Sequence, residues 1–168
     1  MMWLKNTLKK NCCLGFTLLE LTIVMFFMAL IAGLSTPFVM STLDRIELQT
    51  SARKVASTLR YARSEAITSK RPVMFTGDLI RNSFWVTKVD ANKSPKIKHL
   101  TDPIQLTRFI GENENSLFRD GKFTVTFFPQ GNSSGGLISI NIKESRSLEN
   151  YYDINVDPIT GQTKIKKK

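Results

Sequence analysis

The fold is decided by one apolar stretch, FTLLELTIVMFFMALIAGLSTPFVM, at residues 16–40. These 25 residues include a single charged side chain, Glu20. A helix rises 1.5 Å per residue, so about 20 residues suffice to cross about 30 Å of hydrocarbon. No second stretch of the 168-residue sequence approaches this length, so we expect one membrane-spanning anchor followed by a single exported domain.

The charges before the stretch set its expected orientation. Residues 1–15 contain Lys5, Lys9 and Lys10 and no acidic residue. Basic residues beside a membrane helix are retained on the cytoplasmic side. The sequence therefore predicts a cytoplasmic leader, with everything after Ser41 translocated.

Three interpretations of this N-terminus are open from the residues alone. A secretory signal peptide would be cut near Gly33, which the length of the apolar run disfavours. An uncleaved anchor leaves Glu20 unexplained, because a carboxylate near hydrocarbon costs on the order of a few kcal/mol unless it is paired. A cut between Gly15 and Phe16 would place a new α-amino group four residues from Glu20, on one face of a helix. That ammonium would neutralise Glu20 of its own chain or of a neighbouring helix.

The sequence around this third position, KKNCCLGFTLLE at residues 9–20, resembles the prepilin peptidase site of type IV pilins and type II secretion pseudopilins. The shared pattern is a basic leader, Gly, Phe, Thr, two aliphatic residues and Glu, followed by an apolar helix. The resemblance implies cleavage after Gly15, N-methylation of Phe16 and a role for Glu20 in filament assembly. Pro37 also lies where pilin anchors commonly carry a helix-distorting proline, and it would remove one helical hydrogen bond.

Beyond Pro37 an amphipathic helical pattern resumes. Its apolar residues recur at spacings of four and three and form one face: Leu48, Ala52, Val55, Leu59, Ala62 and Ala66. Arg71 before Pro72 is a plausible stop, because the residue before proline disfavours the helical region. We therefore expect one continuous, kinked helix from Phe16 to about Ser69, with its second half packed on a sheet.

From Pro72 onward the sequence changes to short β-prone runs separated by turn residues. The expected strands are residues 73–76, 84–89, 96–100, 105–110, 123–128, 137–142, 151–156 and 162–165. Eight short strands imply antiparallel pairing, and alternation in the runs 123–128 and 137–142 gives each strand one buried face. The glycine-rich loop at residues 129–136 is expected to join these two strands as a hairpin.

Two further stretches narrow the family. YARSEAI at residues 61–67 and FFPQG at residues 127–131, with Ser133 and Gly135-Gly136 following, resemble the H-type pseudopilin and FimT-type minor pilin family. Residues 77–120 lie outside this resemblance. Membership implies an α+β, pilin-like fold: a long N-terminal hydrophobic helix, transmembrane in its first half, packed on a C-terminal antiparallel β-sheet domain. It also implies a place at or near a filament tip.

The residue types that carry catalysis are sparse. Cys12 and Cys13 both lie in the predicted leader, and His99 is the one histidine. It has no His or Cys neighbour at metal-ligand spacing, and the acidic residues form no recognised acid–base or EF-hand pattern. Scattered acids of this kind are expected on a solvated surface. We expect a protein that is not an enzyme, with no catalytic residue, no metal site and no cofactor.

The positive charge is concentrated at the C-terminus. Three of the 24 basic residues lie in the leader, which leaves 21 against 14 acidic residues and a net charge of +7. Four of the last five residues are lysines: Lys164, Lys166, Lys167 and Lys168. Some FimT-type minor pilins bind DNA through a basic segment after a glycine, but arginines are typical there, whereas this chain has Gln162 and Lys164 after Gly161. Two interpretations of these lysines are open: they bind nucleic-acid phosphates, or they form a frayed, solvated end of the chain.

The expected organisation has four parts. Residues 1–15 are a cleaved leader and residues 16–40 a transmembrane and assembly helix. Residues 41–70 are the amphipathic periplasmic half of the helix, and residues 71–168 are the β domain with its basic tail. The expected function is a minor pseudopilin, a structural subunit of a periplasmic filament for type II secretion, anchored in the inner membrane. The alternative is a minor type IV pilin that binds DNA.

The expected partners follow from that function. They are other pseudopilins or minor pilins, the prepilin peptidase and the inner membrane. DNA and a secreted protein substrate are the two further candidates.

Overall fold

The computed structural model describes residues 16–88, 94–112, 117–143 and 151–167, with no side-chain description for residues 35–41. The predicted leader, with Gly15, Cys12 and Cys13, and the terminal Lys168 lie outside the described residues. The chain divides into two compact units, residues 1–40 and residues 41–168.

One helix, α1 (Leu18–Ser69), opens the described chain and is 52 residues long. It ends at Ser69, as predicted, but begins two residues after the predicted start at Phe16. No helix in the described part of the chain is both long enough and apolar enough to cross a membrane.

The second half of α1 packs on the β-sheet domain through the predicted apolar face. All six predicted core residues are buried, with Ala52, Val55 and Leu59 at 0% exposure. Burying a side chain the size of Leu59 stabilises the fold by roughly 1.5–3 kcal/mol. The hydrophobic face of this half is therefore confirmed.

Nine strands follow the helix within the described residues. They are β1 (Val73–Asp78), β2 (Ser83–Lys88), β3 (Lys98–His99), β4 (Ile104–Ile110), β5 (Leu117–Phe118), β6 (Lys122–Phe127), β7 (Gly136–Ile142), β8 (Tyr151–Val156) and β9 (Thr163–Lys167). Eight of them correspond to the predicted strands, and the two-residue β5 was not predicted.

The strands form two antiparallel sheets. The first has the order β3-β2-β1-β6, and the second has the order β5-β4-β7-β8-β9. Each pairing between neighbours is antiparallel, as expected.

The predicted hairpin between β6 and β7 is wrong, because the two strands lie in different sheets. β6 pairs with β1, and β7 pairs with β4 and β8. The loop between them first returns to β6 through a bridge between Ser133 and Phe127, and then continues into the second sheet. Both strands do bury one face, as alternation predicted, but they bury it in a core formed by both sheets.

Aromatic rings link the two sheets inside that core. The ring of Phe109 on β4 stacks on Phe123 of β6, with centroids 4.4 Å apart and planes 7° from parallel. Phe75 of β1 lies beside both Phe123 and Phe84, at centroid distances of 6.3 and 5.7 Å. The ring of Phe123 occupies the space where Gly77 lacks a side chain. Such ring pairs add about 0.5–1.5 kcal/mol each beyond the area they bury.

Among the described acidic residues, one departs from the expected solvated surface. Asp78 is only 3% exposed, at the end of β1. Its Oδ1 accepts hydrogen bonds from the backbone N–H groups of Ile80 (3.1 Å) and Arg81 (2.8 Å). These bonds satisfy the buried carboxylate and fix the turn between β1 and β2.

Candidate functional site

The start of α1 is fixed by Thr17. Its Oγ1 accepts a hydrogen bond from the backbone N–H of Glu20 at 3.2 Å, and its carbonyl accepts one from Leu21 at 3.2 Å. Thr17 is therefore the N-cap residue, and Glu20 is the third residue inside the helix. A threonine followed three residues later by glutamate is the spacing of a capping box.

This start changes the expected geometry of Phe16 and Glu20. Phe16 precedes the N-cap, so in this chain it does not share a helical face with Glu20. Glu20 instead lies in the first turn, where the positive end of the helix dipole favours a carboxylate. The sequence motif thus contains a helix-start signal that the prediction did not identify. The proposed roles of Gly15, Phe16 and Glu20 in processing and assembly stay predictions.

The described apolar side chains from Phe16 to Leu34 are exposed. Phe16 is 85% exposed, Leu18 82%, Met25 69% and Leu34 72%. Large apolar side chains of this density normally mark a surface that meets a membrane or another protein.

In the β-sheet domain, Arg63 joins the helix to two loops. Its Nε donates hydrogen bonds to the carbonyl oxygens of Gly131 and Thr160, both at 3.0 Å. Gly131 lies in the loop between β6 and β7, and Thr160 lies in the turn between β8 and β9. We call this arrangement the Arg63 clamp.

The two loops of the clamp also bind each other. Ser133 Oγ donates to the carbonyl of Asp157 at 3.0 Å, and the Ser133 N–H donates to the carbonyl of Pro158 at 2.8 Å. Asp157 Oδ1 accepts the N–H (2.7 Å) and the hydroxyl (3.0 Å) of Thr160, and these bonds lower the pKa of the Asp157 carboxyl. The stretches that suggested the family therefore meet in space.

The lysines of the predicted tail belong to a strand. Lys164, Lys166 and Lys167 lie in β9, paired with β8, and all three are exposed. The alternative of a frayed end is therefore wrong for residues 163–167. In this strand Ile165 packs against the core, and Thr163 is buried.

A search against family models identifies the chain. The model of the type II transport protein GspH matches residues 51–160. The chain belongs to the GspH family. Among curated proteins, the type II secretion system protein H of Xanthomonas campestris pv. campestris is 28% identical over 151 residues, which cover 89% of this chain and 81% of that protein.

Solved structures share the fold. Two structures of the minor pseudopilin EpsH from the type II secretion system of Vibrio cholerae match with TM-scores of 0.60 and 0.55. Their identities are 15% and 19%, and they cover 73% and 71% of this chain and 97% and 94% of their own. The type IV minor pilin FimU of Pseudomonas aeruginosa matches with a TM-score of 0.51 at 17% identity, over 74% of this chain and 90% of its own.

The comparisons confirm the predicted family, the pilin-like fold and the predicted function of a minor pseudopilin of type II secretion. They do not favour the DNA-binding alternative. The family is one of structural subunits rather than enzymes. The match to the GspH model contains the whole Arg63 clamp, whereas the motif at residues 15–20 and the strand β9 do not lie fully within it.

Proposed function

We propose that this GspH-family protein enters a periplasmic type II secretion filament as a minor subunit, after its leader, residues 1–15, has been removed by the prepilin peptidase. The observation that carries the proposal is the exposed apolar half of α1, which directly follows the peptidase-like motif. In this account residues 16–40 hold the protein in the inner membrane. Residues 41–70 carry the helix into the periplasm, and residues 71–168 form the β-sheet domain there.

Two features support the membrane anchor. The side chains described between Phe16 and Leu34 are exposed and predominantly apolar. The complete apolar run is 25 residues long and extends past these side chains to residue 40, which reaches the length that a spanning helix needs. Burying such side chains in lipid or against neighbouring helices stabilises each by about 1.5–3 kcal/mol.

Glu20 would align the anchor helix along its axis with the helices of neighbouring subunits. Its side chain is the one carboxylate of the apolar run, and it lies one turn from the helix start. After cleavage, Phe16 would carry a free α-amino group beside the N-cap. Because Phe16 lies outside the helix, its amine does not share a helical face with Glu20 of the same chain. We therefore favour an ion pair between this amine and Glu20 of a neighbouring subunit. This pairing would neutralise the carboxylate and fix the axial offset of adjacent helices.

The β-sheet domain would supply the contacts that distinguish this subunit from others. The Arg63 clamp holds two loops at one end of the domain and gives them a defined surface. The expected partners of that surface are other pseudopilins and, at the filament tip, a secreted protein substrate.

A gene-replacement experiment tests the proposal. A strain that lacks the protein should accumulate its type II substrates in the periplasm, and the intact gene should restore their appearance in the medium. Uptake of transforming DNA, measured in the same strains, should not change. Normal secretion with lost transformation would instead support the type IV pilin alternative.

A further inference from the structure

In the part of the chain that the structure describes, the two sheets have four edge strands, and three of these edges are short or covered. β3 and β5 are two residues long. β6 is covered by its own loop, because the Ser134 N–H donates to the Thr126 carbonyl (2.9 Å) and the Thr126 N–H donates to Ser134 Oγ (3.1 Å). Short edge strands and covering loops are the usual means by which proteins prevent unwanted strand pairing.

β9 differs from these three edges. It is five residues long, and among the described residues it has β8 on one side and no strand on the other. The Gln162 carbonyl accepts the N–H of Asp157, so Gln162 faces β8. Because backbone groups alternate in direction along a strand, those of Thr163, Ile165 and Lys167 face away from β8.

The first of these outward-facing positions, Thr163, already has a hydrogen-bond partner. The carbonyl of Thr163 accepts a hydrogen bond from Arg60 Nη2 of the helix at 3.5 Å. Within the described residues, no hydrogen bond occupies the outward backbone groups of Ile165 and Lys167. The edge is therefore open at two successive pairing positions.

A positively charged cleft adjoins this edge. It has a volume of about 420 Å³ and is lined by Arg60, Arg63, Ser64, Ile67, Thr68 and residues 161–163, with no acidic side chain. The exposed lysines of β9 add positive charge to the edge strand on both faces: Lys164 and Lys166 lie on the face opposite Thr163, and Lys167 lies on the same face as Thr163. Asp153 lies opposite Lys166 in the register, but its Oδ1 already accepts the Ser139 hydroxyl at 2.6 Å.

We propose that β9 and the adjoining cleft bind an extended, acidic segment of another polypeptide. The segment would pair with Ile165 and Lys167 as a sixth strand of the second sheet and place a carboxylate beside Arg60. The positive charge of β9 and the cleft favours an acidic segment over other occupants. A second copy of β9 would bring lysines against lysines, and nucleic acid cannot continue a backbone hydrogen-bond ladder. The inference depends neither on cleavage of the leader nor on membrane anchoring.

The test uses the full-length chain in detergent micelles. The probe is a nine-residue capped peptide of alternating valine and glutamate, with valine–lysine and valine–glutamine peptides as controls. Binding should protect the Ile165 and Lys167 amides from hydrogen exchange, and affinity should fall as salt rises. The double variant K164E/K166E should weaken binding roughly ten-fold or more, since it removes two attractive charges and adds two repulsive ones.

Two further variants keep the result interpretable. Lys122→Glu reverses a single lysine charge on the covered edge strand β6 and should leave affinity unchanged, while Arg60→Gln should weaken it. Exchange at the buried Ile154 amide, on β8, reports whether each variant is folded. Equal affinity for the three peptides, no protection at Ile165 and Lys167, or an equal loss in Lys122→Glu would overturn the proposal. So would salt-sensitive binding of duplex DNA in place of the acidic peptide.

Discussion

The backbone of Gly161 packs directly against the side chain of Arg63, so closely that a Cβ atom at position 161 would lie 2.9 Å from Arg63 Nε. The same atom would collide with the carbonyl oxygen of Gly131. Gly161 also has a φ of +64°, in the left-handed region that side chains disfavour. This packing joins the helix, the loop between β6 and β7 and the turn before β9.

Replacing Gly161 by alanine should destabilise the domain. The added methyl group must displace either the Gly131 carbonyl or Arg63, and the positive φ adds strain, so we expect a loss of about 2–3 kcal/mol in the free energy of unfolding. Urea denaturation of the full-length chain measures this loss. Gly121→Ala is the matched control, because Gly121 has a φ of +78° but open space around its missing Cβ. It should cost only about 1 kcal/mol, and equal losses would mean that packing against Arg63 contributes nothing.

Replacing Arg63 by glutamine should remove the clamp. Two carbonyl oxygens would lose their shared donor, and we expect a loss of about 2 kcal/mol in the free energy of unfolding. Arg60→Gln is the control on the same helix, since Arg60 is exposed and makes one long bond of 3.5 Å. Its effect should stay within about 0.5 kcal/mol. Similar midpoints for the two variants in urea would refute the clamp.

Replacing Glu20 by glutamine separates its charge from its place in the helix start. Glutamine keeps the spacing of a capping box but carries no charge. We expect the variant to remain in the membrane fraction but to be recovered with other pseudopilins several-fold less than the wild type. Thr17→Ala, which removes the N-cap at a cost of about 1 kcal/mol, should reduce recovery less. If Thr17→Ala were the more damaging change, helix capping rather than charge pairing would explain the motif.

Acid should weaken the turn that holds Gly161. Hydrogen bonds from Thr160 lower the pKa of Asp157 below its usual 3.8, so the stabilisation is present above that pH and is lost as the pH falls through the lowered pKa. Asp157→Asn keeps an acceptor oxygen but does not titrate. The difference in urea midpoint between wild type and this variant should shrink from about pH 6 to about pH 3. A constant difference across that range would contradict the assignment.

Local sequence patterns predicted the helix and most strands correctly, because each of these elements depends mainly on residues near it in the chain. The spacing of Leu48, Val55 and Leu59 was sufficient to identify the buried face of the helix. Alternation likewise identified the buried faces of β6 and β7. It shows which side chains are buried, but not which strand lies alongside, so the division into two sheets could not be predicted.

The Arg63 clamp could not be predicted for a similar reason. Its carbonyl partners lie 68 and 97 residues away in the chain, and carbonyl groups are common to every residue. The available signal was an arginine between two buried alanines, Ala62 and Ala66, on the mainly apolar face of the helix. The N-cap at Thr17 could have been predicted, since Thr17 and Glu20 have the spacing of a capping box in the sequence itself.

The identity of the mature N-terminus tests the central claim most directly. The full-length gene would be expressed with its native secretion genes, and the protein purified from membranes would be analysed by intact mass and N-terminal fragmentation. A chain that begins with N-methylated Phe16 is the predicted result. An intact Met1, or a chain that begins after Ser35, would contradict the account of this protein as a processed filament subunit.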